Sequence, residues 1–247
     1  LTSPSVTINQ AVGQADPTSI SPINFVVVFS KTVTGFTNAD VSLSGTAGAT
    51  TVVVTGSGAN YNVAVSGMTL PGTVIATIPA GAALDTTGNS NTASTSTDNS
   101  VLYDVTAPTV TINQAAGQVD PSNTSPINFT VVFSESVTGF TGADVALTGT
   151  AGATTAVVTG GGTTYNVAVS GMVASGTVIA TIPAGNAQDV AGNGNASSTS
   201  TDNSVTFDFT APSVTINQAA GQTDPTNTSP IVFDVIFSKP VTGFANT

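Results

Sequence analysis

The sequence predicts an all-β protein built from tandem Greek-key β-sandwich domains, and three observations support this prediction. A segment of 104 residues repeats along the chain, its apolar residues alternate with polar ones, and turn residues recur between the alternating stretches. Only 6% of the 247 residues are charged. The abundant Thr and Val favour pleated strands, and long-chain helix formers are scarce, so a helical fold is not expected.

The repeat divides the chain into domains. The segment Val6–Gln10 returns as Val110–Gln114 and as Val214–Gln218, and roughly 74 of the 104 positions that start at Thr2 are identical in the next copy. This period is too long for a solenoid unit but matches one independent sandwich of about 100 residues. We therefore expect two complete domains and the beginning of a third: Leu1–Asp104, Val105–Asp208 and Phe209–Thr247.

Each complete repeat is predicted to hold about seven strands, as a Greek-key sandwich does. In the second repeat the predicted strands are 110–113, 126–134, 144–148, 154–159, 165–170, 177–182 and 197–208. Apolar residues alternate along the second of these strands, so one face of it is predicted to be core. The residues predicted to be buried are Phe25 and Phe29 in the first repeat, and Ile127, Phe129, Val131 and Phe133 in the second.

The residue inventory argues against catalysis and against several partner classes. The chain has no His and no Cys, and Glu135 is its only glutamate, which excludes Ser-His-Asp and Cys-His nucleophiles and the usual zinc sites. The net charge of −11, with only two basic residues, disfavours nucleic acid and anionic membrane surfaces. No apolar run approaches the ~18 residues of a membrane span. We therefore expect no enzymatic activity, and a hard cation such as calcium is a better-matched partner.

Two tight loops combine a carboxylate, a glycine and an amide. They are Asp85–Asn89 and Asp189–Asn193. At the domain junctions, Asp104 and Asp208 each lie two residues before a Thr-Ala-Pro segment. Calcium takes several oxygen ligands from flexible loops, so a loop and the adjoining linker aspartate can converge on one ion. The alternative is that each loop is an Asx-type turn and each linker aspartate a cap at the end of a strand.

The paired motifs, Asp-x-x-Gly-Asn followed by Asp-x-Thr-Ala-Pro, resemble those of the bacterial Ig-like repeats found in giant surface adhesins and biofilm proteins. The resemblance covers the whole chain. It implies Ig-like domains whose loop and linker aspartates bind calcium and stiffen a rod of domains. Carried onto this sequence, it implies two sets of metal ligands: Asp85, Asn89 and Asp104 at the first junction, and Asp189, Asn193 and Asp208 at the second.

The expected function is structural: a rigid spacer or filament-forming segment of an extracellular bacterial fibre, stalk or adhesin at the cell surface. The expected partners are neighbouring repeats, other copies in a fibre, and cell-surface or matrix ligands. The alternative is a glycan- or ligand-binding module, although the chain has no Trp and only three tyrosines, Tyr61, Tyr103 and Tyr165. The partial third repeat is interpreted as a window on a longer array, or alternatively as a piece completed by a strand from a neighbouring subunit.

Overall fold

The computed structural model describes residues 2–245, and this part of the chain is almost entirely β-structure. The first repeat contains β1 (Val6–Gln10), β2 (Ile23–Thr34), β3 (Ser42–Ser44), β4 (Thr51–Ser66), β5 (Gly72–Thr77), β6 (Leu84–Asp85) and β7 (Ser100–Tyr103). The second contains β8 (Val110–Gln114), β9 (Ile127–Val137), β10 (Ala146–Thr148), β11 (Thr155–Ser170), β12 (Gly176–Thr181) and β13 (Ser204–Phe207). The third contains β14 (Val214–Gln218) and β15 (Phe233–Phe237). Two single-turn 3₁₀ helices occur among the described residues, Asn38–Asp40 and Gly142–Asp144, and neither is long and apolar enough to cross a membrane.

Each complete repeat is a sandwich of two antiparallel sheets. In the first repeat one sheet has the order β1-β2-β4, with β6 also paired to β2, and the other has the order β3-β5-β7. The second repeat reproduces this arrangement with β8-β9-β11 and β10-β12-β13. The register is reproduced as well, since Val6 pairs with Phe29 and Val110 pairs with Phe133. The predicted all-β sandwich is confirmed.

The long elements β4 and β11 each fold back on themselves at a glycine-rich turn. In the second repeat the amide of Thr154 donates to the carbonyl of Ser170 (3.1 Å), so the two ends of β11 lie side by side. A Cβ on Gly160 would lie 2.6 Å from the carbonyl oxygen of Thr164, and Gly160 has φ +112°, which glycine adopts readily. The two predicted strands 154–159 and 165–170 are therefore the two arms of this one element.

The second repeat departs from the predicted strand pattern at two places. Asp144, predicted to open a strand, instead ends a 3₁₀ helix, where its carboxylate accepts a hydrogen bond from the amide of Thr141 (2.7 Å). The last strand begins at Ser204, later than predicted. No strand was predicted around residue 188, and the counterpart of β6 there is only an isolated bridge between Thr138 and Gln188. An Asp side chain that bonds the backbone favours a cap over a strand, which explains the first difference.

The predicted core face is confirmed in both complete repeats. The six residues predicted to be buried are at most 2% exposed: Phe25, Phe29, Ile127, Phe129, Val131 and Phe133. In the second repeat the rings of Phe133, Phe140 and Tyr165 make edge-to-face contacts, with centroids 5.2–5.8 Å apart. This geometry is favourable for aromatic quadrupoles and anchors the end of the core near the long hairpin.

The third repeat contributes one two-stranded sheet, in which β14 pairs with β15. Ile231 and Phe233, which occupy core positions in the repeat pattern, are 58% and 55% exposed. Among residues 2–245 no second sheet faces them. Their exposure shows that the apolar phase of a strand needs both sheets of the sandwich to become a core.

Substitution of Gly149 by Ala is expected to destabilise the second domain by about 2–3 kcal/mol. Gly149 has φ +103°, and a Cβ there would lie 2.2 Å from the backbone carbonyl oxygen of Thr177 in β12, so the change combines backbone strain with displacement of a strand. Gly117 is the matched control, because it has φ +86° and nothing lies within 4 Å of its Cβ position. Gly117→Ala should cost about 1 kcal/mol. Urea denaturation measures both variants, and equal losses would contradict the steric argument.

Candidate metal centre at the domain junction

The loop Asp85–Asn89 is organised around the buried carboxylate of Asp85. Its oxygens accept hydrogen bonds from the backbone amides of Thr87 and Asn89 (both 2.9 Å), from the Thr87 hydroxyl (2.7 Å) and from the Asn89 side-chain amide (2.9 Å). The pKa of Asp85 lies well below its ordinary value, because hydrogen bonds from Asn89 stabilise the ionised form. The side-chain amide of Asn89 has the largest effect, followed by its backbone amide. In the first repeat this loop is an Asx-type turn.

Lys31 completes the environment of Asp85. Its ammonium nitrogen lies 3.2 Å from Oδ2 of Asp85 and also donates to the backbone carbonyl of Thr2. Lys31 therefore ties the loop to the first residues of its own domain. With this bond the Asp85 carboxylate is the acceptor for five donor groups.

The equivalent loop Asp189–Asn193 leaves its carboxylate with fewer donors. Asp189 is only 5% exposed, and it accepts hydrogen bonds from the backbone amide (2.8 Å) and the side-chain amide (2.9 Å) of Asn193. Ala191 stands where the first repeat has Thr87, so the hydroxyl donor is missing, and Glu135 stands in place of Lys31. An ionised carboxylate has about four acceptor positions, so Asp189 keeps unused capacity in a buried place.

Three carboxylates from two domains meet at the first junction. One oxygen each from Asp104, Glu135 and Asp189 lies within 4.8 Å of the other two. Asp104 belongs to the linker after β7, Glu135 lies in β9, and Asp189 lies in the loop of the second domain. Burial raises the pKa of Glu135, and the negative charges of Asp189 and Asp104 raise it further. The concentration of negative charge favours a cation at this point.

Direct hydrogen bonds join the two domains at the same place. The side-chain amide of Asn193 donates to the backbone carbonyl of Asp104 (2.9 Å), and the Ser19 hydroxyl donates to the carbonyl of Ala191 (2.8 Å). Both contacts use the loop 189–193. This loop is therefore the part of the second domain that meets the first, and the carboxylate cluster lies within an interface that is already formed.

A lysine takes the corresponding place at the second junction. The ammonium of Lys239 contacts the carboxylate of Asp208 and donates to the carbonyl of Thr210 (2.9 Å). The hydroxyl of Ser175 lies 3.3 Å from Oδ1 of Asp208. The hydrogen bond from Lys239 is the main cause that lowers the pKa of Asp208. The pair is partly exposed, so solvent screens it.

Residues 104–207 match a family model described as a bacterial Ig-like domain. The second repeat is a bacterial Ig-like domain. The first repeat has the same sheet order and an equivalent core 104 residues earlier, so the two repeats share one fold. A search of curated proteins gave no match. The matched segment includes the linker residue Asp104 together with Glu135 and Asp189, and thus contains every carboxylate of the cluster.

The structure groups the expected metal ligands differently from the sequence-based assignment. Asp104 lies with Asp189 of the following domain, whereas the assignment placed it with Asp85 and Asn89 of its own domain. The loop 85–89 lies beside Thr2 at the start of the first repeat, whereas the linker residue Asp104 donates its amide to the carbonyl of Thr18, beyond the far end of β1. At the first junction the linker aspartate therefore meets the loop of the following domain.

The second expected set is divided in the same way. Asp208 lies with Lys239 and Ser175, while Asp189 and Asn193 belong to the first junction. In both loops the asparagine, Asn89 or Asn193, donates its amide N–H to the loop aspartate. This contact orients the carboxylate.

Sequence reasoning missed the residue that decides the charge of each site. Lys31, Glu135 and Lys239 occupy one position of the repeat, and each faces a loop or linker aspartate. The signal was the exchange of Lys for Glu at a period of 104 residues, within flanking sequence that is otherwise closely repeated.

In the first two repeats the equivalent tyrosines Tyr61 and Tyr165 form no exposed aromatic platform of the kind that glycan sites use. Tyr61 and Tyr165 are 7% and 8% exposed and donate their hydroxyls to the carbonyls of Val33 and Val137. Three shallow surface grooves in the first two domains are lined by small apolar, hydroxyl and amide side chains, without aromatic rings or charges. The contacts of Tyr61 and Tyr165 are those of core-edge residues.

Proposed function

We propose that this chain is a rigid, non-catalytic spacer segment of an extracellular bacterial fibre, stalk or adhesin. We further propose that calcium stiffens its first junction. The observation that carries the proposal is the convergence of Asp104, Glu135 and Asp189 from two Ig-like domains on one point. Neighbouring repeats are the partners on which this function depends, and the cell surface is the setting that suits it.

The residues of the cluster fit calcium. Calcium binds carboxylate and carbonyl oxygens at about 2.3–2.6 Å, so two oxygens on one ion are at most about 5 Å apart. The three carboxylates lie within this limit, at 4.8 Å or less. In residues 2–245 no lysine lies in ion-pair contact with these three carboxylates. Asp104, Glu135 and Asp189 would therefore hold the ion.

The mechanism is electrostatic and mechanical. Without a cation, three carboxylates in one small volume repel one another and oppose the close approach of the two domains. A divalent ion reverses the sign of that interaction and joins the linker to the second domain. The hydrogen bonds from Asn193 to Asp104 and from Ser19 to Ala191 fix the orientation that the ion then stabilises. Pro108 in the linker adds stiffness because its ring fixes φ.

Calcium is expected to narrow the distribution of distances between the first and second domains and to raise their thermal stability. The chain has no cysteine, so Thr55→Cys and Thr159→Cys, both at exposed positions of the long hairpins, allow specific spin labelling of the full chain. Pulsed electron–electron double resonance measures the distances between the two spin labels with calcium and with chelator. Binding at tenfold excess over Kd should stabilise the folded array by about 1.4 kcal/mol.

The variant Asp104→Asn provides the control, because it removes one carboxylate and keeps the side-chain size. Its response to calcium should be weaker than that of the wild type. Equal distance distributions and equal melting temperatures of the wild type with calcium and with chelator would refute the calcium part of the proposal. Specific binding of the chain to a glycan array would instead favour a ligand-binding module.

A further inference from the structure

Every charged side chain other than aspartate occupies one position of the repeat. The chain contains two lysines, one glutamate and no arginine, and these three residues are Lys31, Glu135 and Lys239, each 104 residues from the next. Elsewhere the charged residues are all aspartates. A position that alternates between positive and negative charge, in a chain with so few charges, points to a specific electrostatic task.

The lysine contacts correspond to the groups that surround Glu135. Lys31 contacts Asp85 and the carbonyl of Thr2, whose equivalents in the second repeat are Asp189 and Thr106. Lys239 contacts Asp208 and the carbonyl of Thr210. Its partners are equivalent to Asp104 and, again, Thr106. Each ammonium group therefore binds two members of this oxygen set: Lys31 binds the equivalents of Asp189 and the Thr106 carbonyl, and Lys239 binds the equivalents of Asp104 and the Thr106 carbonyl.

We propose that the residue at this position determines how each junction is closed: a lysine supplies the cation from the chain itself, whereas a glutamate leaves a site that a free divalent cation must fill. This inference rests on the proposed calcium site at the first junction. It divides the junctions of the array into a cation-independent class with lysine and a cation-dependent class with glutamate.

The chemistry of the two side chains supports this division. The lysine ammonium is a compact charge with three donors, which suits two carboxylates and one carbonyl. Glutamate at the same place changes the local charge by two units and adds a hard oxygen ligand, as calcium requires. The Thr106 carbonyl, equivalent to the Thr2 and Thr210 carbonyls that the lysines bind, is then a fourth oxygen available to the ion.

The variant Glu135→Lys tests the inference in the full chain, with the spin labels on Thr55→Cys and Thr159→Cys. In chelator its distance distribution should be as narrow as that of the wild type in calcium, and added calcium should change neither the distribution nor the melting temperature. Glu135→Gln is the matched control, because it removes the negative charge without supplying a positive one. In chelator Glu135→Lys should melt about 2–4 °C above Glu135→Gln at low salt, and the difference should shrink in high salt.

The possible results separate this inference from the proposed function. The wild type can respond to calcium while Glu135→Lys in chelator is as flexible as Glu135→Gln. In that case the inference that a lysine replaces the ion is wrong, and the proposed calcium site is retained. If the wild type shows no response to calcium, both proposals fail at their common premise. A calcium-responsive wild type together with a Glu135→Lys chain that is rigid in chelator supports both.

Discussion

Replacement of Phe129 by Ala is expected to destabilise the second Ig-like domain by about 3–5 kcal/mol. Phe129 lies in β9, is fully buried, and pairs in register with Gln114 of β8 and Val167 of β11. Its ring lies in the core beneath β9, the central strand of its sheet. Glu135 lies further along the same strand. Loss of the ring removes apolar burial and leaves a cavity that the neighbouring strands can close only in part.

The expected observable is a split denaturation curve. The first domain keeps the equivalent Phe25 and should unfold at its unchanged urea midpoint, while the second domain should unfold earlier. Val132→Ala is the control, because Val132 lies on the opposite face of the same strand and is 45% exposed. That change should stay within about 0.5 kcal/mol. A similar loss for Phe129→Ala and Val132→Ala would show that β9 has the wrong face assigned to the core.

The alternating strands were the most predictable part of this fold. In β9 the period of two assigns Ile127, Phe129, Val131 and Phe133 to one face, and this assignment depends only on sequence neighbours. The turn of the long hairpin was also predictable, because consecutive glycines such as those at Gly160 weaken a strand and readily adopt the backbone conformations of a turn. Strand ends were less predictable. Asp144 illustrates the reason, since its carboxylate bonds the backbone of Thr141 and converts an expected strand start into a 3₁₀ turn.

The composition of the candidate metal centre was harder to predict because it depends on which ends of the domains meet. The sequence identified Asp104 and Asp189 as unusual residues, but proximity along the chain placed Asp104 with Asp85. The sandwich brings the loop 85–89 back to the start of its own domain, where Lys31 binds both Asp85 and Thr2. Glu135 was recognised only as the single glutamate, because a Lys-to-Glu exchange at a half-buried strand position does not show which aspartates lie beside it. Its meaning appears only when the loop and the linker are placed beside it.

The loop that carries Asp189 depends on one buried asparagine. Asn195 is 2% exposed, and its side-chain oxygen Oδ1 accepts hydrogen bonds from the backbone amides of Asn186 and Ala187 (both 2.8 Å). Its amide nitrogen donates to the carbonyls of Pro183 (3.0 Å) and Ala196 (2.7 Å). The first repeat shows the same type of arrangement, in which Asn91 binds Ala83, Pro79 and Thr92. One side chain therefore satisfies four backbone groups at the base of the loop.

Asn195→Ala is expected to destabilise the second domain by about 3–5 kcal/mol, because buried backbone donors and acceptors lose their partners at a cost of about 1–3 kcal/mol each, offset in part by water. The loop should also lose its fixed shape, so the calcium affinity of the junction should fall together with the stability. Urea denaturation and calorimetric titration with calcium measure the two effects.

Asn195→Asp separates hydrogen bonding from packing, since it keeps the volume and removes the donors to Pro183 and Ala196. It should therefore lose most of the same stability at neutral pH. Asn123→Ala, at an exposed position, should stay within about 0.5 kcal/mol. A stable Asn195→Asp domain would show that the two hydrogen bonds donated to Pro183 and Ala196 do not hold this loop.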